Sequence, residues 1–303
     1  FGLVPCWAVL TRNGEPVGDE AVAAIPYTAS VNEKDKTLTI LSWKDESAEI
    51  VIPDQLNGYT VTGIGREVFR NRTSMEGITL PANLTEIGEA AFRGCTAITG
   101  IEFPAALTVI GSNAFRDCTS LTTVTFSEGS TLETIRNSAF ENDKLLESVA
   151  IPEGTSKIGE YAFYDCSALK KVTMPGTVNE MGIQVFRNTA LTTAGPTGSG
   201  ADYEFGWTTE IPAYGFDWID TLTEITLPEG ITKLGRNAIA ECRSLTQVGL
   251  PTSLRTMGEE VFSGCEKLPR IDFPNGIRIL PARALRRCLA LKEVSLPASL
   301  TTI

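Results

Sequence analysis

An internal repeat constrains this chain more than any other feature. The stretches Ala91-Phe92-Arg93-Gly94-Cys95, Ala114-Phe115-Arg116-Asp117-Cys118, Ala162-Phe163-Tyr164-Asp165-Cys166 and Val261-Phe262-Ser263-Gly264-Cys265 share one frame. Its anchor falls at Phe69, Phe92, Phe115, Phe140, Phe163, Phe186, Phe216, Ile239, Phe262 and Leu285. The spacing is 23 residues except for 25 after Phe115 and 30 after Phe186. Counting from the anchor, apolar residues recur at +6, +9, +11, +15 and +18. Proline recurs at +12 (Pro81, Pro104, Pro152, Pro175, Pro228, Pro251, Pro274, Pro297) and glycine at +19 (Gly88, Gly111, Gly159, Gly182, Gly235, Gly258).

Each position has a physical reading. The +9 and +11 residues alternate with polar ones, as in Val124-Thr125-Phe126, which predicts a short strand with one buried face. Proline at +12 ends the strand because it has no N–H for a ladder. The Ile158 to Cys166 stretch predicts a turn and a short helical piece that returns the chain. A single copy buries too little to fold, so the copies must stack, each covering the next. The fold expected is an α/β repeat: a right-handed solenoid of about ten 23-residue repeats, with a parallel β-sheet on the concave face.

Residues before about 53 leave the frame. Lys36–Leu41 and Ala48–Ile52 read as two strands around a polar turn. They predict a β cap over the first sheet edge, so the chain divides into an N-terminal segment and cap, 1–52, and the solenoid, 53–303. Asn13-Gly14 suggests a hairpin turn; residues 1–26 would equally suit a tail or a leader remnant. The 25-residue gap predicts a loop bulge near Ser127-Glu128-Gly129-Ser130. The 30-residue gap carries Gly195-Pro196-Thr197-Gly198-Ser199-Gly200 and dense aromatics, an irregular insert at 192–210 where strand register is lost.

The frame resembles the BspA-like leucine-rich repeats, over about residues 53–303. The entry Ile52-Pro53-Asp54-Gln55-Leu56-Asn57-Gly58-Tyr59 resembles that family's longer first repeat. The resemblance implies a bacterial surface or secreted protein, located extracellularly or on the cell surface, that adheres to host proteins or to other cells.

Composition excludes several other functions. The 303 residues include no histidine, which removes Ser-His-Asp, Cys-His and His–metal arrangements together. A net charge of −11 disfavours nucleic acid, whose phosphates need cations. No apolar run is long enough to span a membrane. Gly63-Ile64-Gly65 lacks the rest of a dinucleotide fingerprint, and Gly195–Gly200 lacks the Lys-Ser/Thr of a phosphate loop. The pairs Glu259-Glu260 and Asp19-Glu20 sit on exposed turns without a cleft. No enzyme activity, cofactor or metal is expected.

Six of seven cysteines occupy +3: Cys95, Cys118, Cys166, Cys242, Cys265 and Cys288. No two are within metal-knuckle spacing. They read as a column of small buried hydrophobes with free thiols; Cys6 stands apart.

Candidate binding residues are few. The outward strand positions are small and polar, a poor source of hot spots. Tyr203, Trp207 and Trp218 would either stack on a sugar ring, anchor a partner loop, or plug the gap left by the irregular repeat. Residues 229–303 carry 11 basic and 7 acidic side chains, against the acidic remainder. Arg283, Arg286 and Arg287 cluster there and would suit an acidic glycan, an acidic partner surface or, equally, an acidic continuation of the solenoid. The leading expectation is a non-catalytic extracellular scaffold for a protein partner. Glycan binding at the insert, or a spacer for another domain, are the alternatives.

Overall fold

The computed structural model describes residues 27–303, and before them only the strand backbones Val4–Ala8, Thr11–Arg12, Glu15–Pro16 and Ile25–Asn32. Asn13-Gly14 and the Cys6 side chain lie outside the described residues.

The chain winds into a solenoid of about 11 turns. Each regular coil lends one strand to each of two ladders. The long-strand ladder holds the +8 to +11 segments: Gly100–Phe103, Thr123–Phe126, Ser148–Ala150 and Lys171–Met174 lie side by side, parallel and in frame (Ile101↔Val124, Val149↔Val172). The short-strand ladder holds +17 and +18, running from Glu86–Ile87 to Glu180–Met181. The third side is not the short helical piece expected. Among the described residues no helix forms, and Gly159–Cys166 and its counterparts are turns.

The reason lies in two left-handed positions per coil. At −2 and +2 the backbone has positive φ, as at Asn113 (φ 56°) and Asp117 (φ 65°), or Ser138 and Asn142 (φ 56° and 67°). Recurrence of that conformation twice around the anchor forbids a continuous right-handed helix. Position +2 is mostly Asn, Asp or Gly, the residues that tolerate it best.

The anchors fill the core. Phe69, Phe92, Phe115, Phe140, Phe163 and Phe186 form one stack, with ring centroids 4.9–5.4 Å apart and planes within 10°. All are buried. Each contact contributes about 0.5–1.5 kcal/mol beyond its buried area. Glycine at +19 allows the coils to approach: a Cβ on Gly111 would lie 2.6 Å from the carbonyl carbon of Gly88.

The boundary at residue 53 falls inside the ladders. Thr37–Trp43 and Glu49–Val51 do not pair with one another. Each instead starts a parallel ladder, with Tyr59–Ile64 and Gly77–Thr79 respectively. They make an additional first coil, and Trp43 leads the ring stack 6.4 Å from Phe69. Ile25–Asn32 then pairs antiparallel with Thr37–Trp43 and covers that ladder's edge.

Candidate functional site

The cysteine column has a structural task. Each S–H donates to the carbonyl of the preceding coil's anchor: Cys95 to Phe69 O at 3.0 Å, Cys118 to Phe92, Cys166 to Phe140, Cys242 to Phe216, Cys265 to Ile239 and Cys288 to Phe262, all within 3.2 Å. All six are free, five of them buried. Burial pushes their thiols up, Cys95 and Cys288 to about 11, so none is a ready nucleophile. Arg72 holds this position in the first repeat and bonds the Trp43 and Asp45 carbonyls instead. Asp143 holds it after Phe140. It is fully buried, Oδ1 accepts from the Cys118 N–H at 2.8 Å, and Oδ2 has no partner among the described residues. Burial raises its carboxyl well above the ordinary range. Among the described residues no three His, Cys, Asp or Glu side chains could hold a metal ion.

The aromatic insert is core. Thr193–Pro196 takes its place beside Glu224–Thr226, and Tyr203–Phe205 slides between it and Lys171–Met174 as an additional parallel strand. Register is therefore kept, by a strand out of sequence order. Tyr203 and Phe205 are 0% exposed and Trp207 is 3% exposed. The Tyr203 hydroxyl donates to Gly215 O at 3.3 Å, and the Trp207 indole N–H to Val178 O at 2.7 Å. Rings of Phe186 and Phe216 cover Tyr203. Neither Tyr203 nor Trp207 offers a face to a sugar; they fill the space of the irregular coil.

The return between these two strands crosses the open face of the long-strand sheet. A Cβ on Gly195 would sit 2.6 Å from Ser199 Oγ and 3.5 Å from Ala201 Cβ, so the loop lies over it. Asp202 pins the loop by accepting from the Thr192 N–H and Oγ1–H at 2.9 and 2.6 Å, and Glu204 by accepting from Gly200 N–H at 2.8 Å. The result is a crossbar, Thr197–Ala201, over an otherwise open sheet.

Trp218 occupies the +2 position with φ 58°, a rare conformation for a bulky side chain. Its ring lies 4.1 Å from the Arg187 guanidinium and 4.5 Å from that of Arg243, and these cation–π contacts are worth roughly 0.5–2 kcal/mol each. Beside it, Asp217 is buried and its carboxyl is pushed up to about 7 by desolvation.

The C-terminal arginines are not brought together as one free patch. Arg283 and Arg287 hold the left-handed −2 and +2 positions. Arg283 pairs with Glu260 at 3.2 Å, and Arg287 with Glu241 and Glu266 at 3.5 Å. Arg286 is exposed without an ion pair among the described residues.

No motif marks the far edge of the long-strand sheet, where the strands end. There Ser127 stands where most other coils have proline, two residues are added after it, and two grooves share it in their lining. One, of ≈450 Å³, is lined by Phe126, Gly129, Ile151 and Glu153 among others. The next, of ≈380 Å³, is lined by Asp54, Leu80, Glu102 and Pro104. The 25-residue spacing was the available signal.

A family model for the BspA-type leucine-rich repeat region matches six copies, over residues 62–193 and 208–303. The chain belongs to the BspA-type leucine-rich-repeat family. Among solved structures it is similar to a leucine-rich repeat protein of Bacteroides ovatus, with 22% identity, 94% of this chain and 90% of that one covered, and a TM-score of 0.52. It is also similar to the pneumococcal vaccine antigen PcpA, with 18% identity, coverage of 99% and 94%, and a TM-score of 0.50. A leucine-rich cell surface protein of Faecalibacterium prausnitzii matches at 22% identity, coverage of 91% and 88%, and a TM-score of 0.47. No curated protein matches. The first two likenesses confirm the leucine-rich-repeat solenoid. Among the described residues of this BspA-type chain, no helix is long and apolar enough to cross a membrane.

Proposed function

We propose that this BspA-type solenoid is a non-catalytic binding scaffold, acting outside the cell or on its surface, that holds a protein partner on the open face of the long-strand sheet. The observation carrying this reading is a division of labour. Aromatics of the insert and the cysteine column serve the core, while Thr123, Thr125, Ser148, Ala150 and Glu224 remain exposed on eight strands laid side by side. Such an extended face suits a macromolecule better than a small substrate. Glycan stacking loses its carriers, because Tyr203 and Trp207 are buried and both guanidiniums on Trp218 lie over its ring.

The test is biolayer interferometry against a panel of purified extracellular-matrix proteins. One should bind saturably. Binding should vanish in T123R/S148R, on the open face, and persist in E86R/E133R, beside the short strands. Loss of binding in both variants alike, or an empty panel, would refute the reading.

A further inference from the structure

Resting on the scaffold reading, the geometry points to the specific chemistry of the partner: we infer that the groove at the far edge of the long-strand sheet takes an extended basic segment of a polypeptide. The floor is apolar. Leu80, Pro104, Ile151 and Pro152 line it, and Phe126 lies half-buried in it with its ring 5.2 Å from Phe103. The rim is acidic. Asp54, Glu102 and Glu153 stand exposed along it, and none has a cation within 4.0 Å among the described residues. Asp54 does accept from Ala82 N–H at 2.7 Å, and Glu102 from Ser127 Oγ at 3.2 Å.

Elsewhere along the solenoid several charges are satisfied within the chain. Arg270 bonds Asp272 and Glu293 at 2.9 and 2.8 Å, and Lys170 bonds Glu147 at 2.6 Å. Three carboxylates without a cation among the described residues thus converge on the groove, and their complement is cationic; Glu224, further along the sheet, also lacks one but lines neither groove. Length selects the occupant further. The groove crosses four neighbouring strands, about 14 Å at ~4.8 Å per step, which holds four to five residues of extended chain at ~3.3 Å each. In an extended chain alternate side chains face opposite ways. One set would lie on the apolar floor while Lys or Arg reached the rim. A small cation would leave that floor uncovered. Ser127, which stands where most other coils have proline, lines both halves of the groove, and Gly129 and Ser130 of the 25-residue coil line one of them.

The experiment is fluorescence anisotropy of a labelled, capped hexapeptide of alternating lysine and valine with the intact chain, at low and at physiological ionic strength. Binding should weaken as salt rises. The variant D54N/E102Q/E153Q should weaken it by about tenfold or more, since three direct charge contacts are removed. The control E86Q/E133Q/E160Q, which removes equal charge from exposed sites away from the groove, should weaken it less than about twofold. A glutamine–valine hexapeptide should not bind. Equal weakening in both variants would mean diffuse attraction to an acidic chain and would overturn the assignment, as would no binding to the unmodified protein. Matrix binding lost in T123R/S148R but kept in D54N/E102Q/E153Q would leave the scaffold reading standing and remove the groove from it.

Discussion

The coils anchored from Phe69 to Phe186 and those from Phe216 to Leu285 obey one frame yet are held together differently. In the first region six phenylalanine rings stack without a break. In the second, Ile239 and Leu285 alternate with Phe216 and Phe262, and Phe262 meets one ring among the described residues, Phe273, edge-on at 6.4 Å. Exposed apolar side chains gather toward the second region's end, among them Leu289 at 76% and Ile279 at 58%. Between the regions lies the insert, whose Tyr203 and Trp207 rings bridge Phe186 and Phe216. A repeat frame therefore specifies the path of the chain, while the anchor's identity decides how strongly each coil holds its neighbour.

The largest effect should come from breaking the stack. Phe115→Asp places an unpaired charge between Phe92 and Phe140, and burying such a group costs far more than a domain's margin of stability. The β-sheet circular dichroism of the folded chain should be largely lost. Leu285→Asp should cost much less, because Leu285 is only partly buried. Equal losses would mean that the two regions do not differ in the way the rings suggest.

Asp217, at the junction, offers a pH-dependent test. Its carboxyl is at about 7 in the folded chain against an ordinary 3.8, through desolvation above all. The folded state binds the proton more tightly, so Asp217's contribution is complete below about pH 4 and is lost as the pH rises to about 7. An asparagine in its place would stay neutral and still accept from the Gln184 N–H. Asp217→Asn should therefore stabilise the chain at pH 8 by up to about 4 kcal/mol and match it at pH 3.5. Urea midpoints across that range measure the difference; a constant gap between the two proteins would exclude the mechanism.

Much of this was legible before the structure. Anchors, strand ends at proline and the close approach at glycine all follow from counting, because each depends on one residue and its own coil. Relations between coils were harder to read. The cysteines' acceptors are backbone carbonyls 26 residues earlier, and a main-chain atom leaves no mark in sequence. Trp43 precedes Phe69 by a spacing outside the frame, so the first coil reads as a cap. Tyr203–Phe205 inserts between strands that sequence order would have made neighbours. The groove beside the open face depends on Ser127 standing near Glu102 and Ile151, which only stacking brings together.

Asp143 tests the cysteine column within the first region. Asp143→Cys would supply an S–H to the Phe115 carbonyl, as Cys118 does to Phe92. The Cys118 N–H that Asp143 now receives also donates to Phe115 O at 3.1 Å, so it would keep a partner. Removing a buried carboxyl with one unpartnered oxygen should raise stability at neutral pH by about 1–3 kcal/mol. A lower urea midpoint would show that the carboxyl is better accommodated than its contacts indicate.

The smallest effect is the one that separates fold from function. Thr125 is exposed on the open face, and its hydroxyl makes one long bond, 3.4 Å, to Ile101 O. Thr125→Ala loses that bond and some strand propensity, and should change stability by less than about 0.5 kcal/mol. The strand path is carried by its buried neighbours Val124 and Phe103, not by the residue that faces outward. If the open face exists for a partner, Thr125→Arg should be nearly as stable as Thr125→Ala. It should nonetheless repel a basic segment from the adjoining groove, which Thr125 also lines. A large loss of stability from Thr125→Ala would instead assign this face to holding the solenoid together, and would leave the groove with no surface free to use.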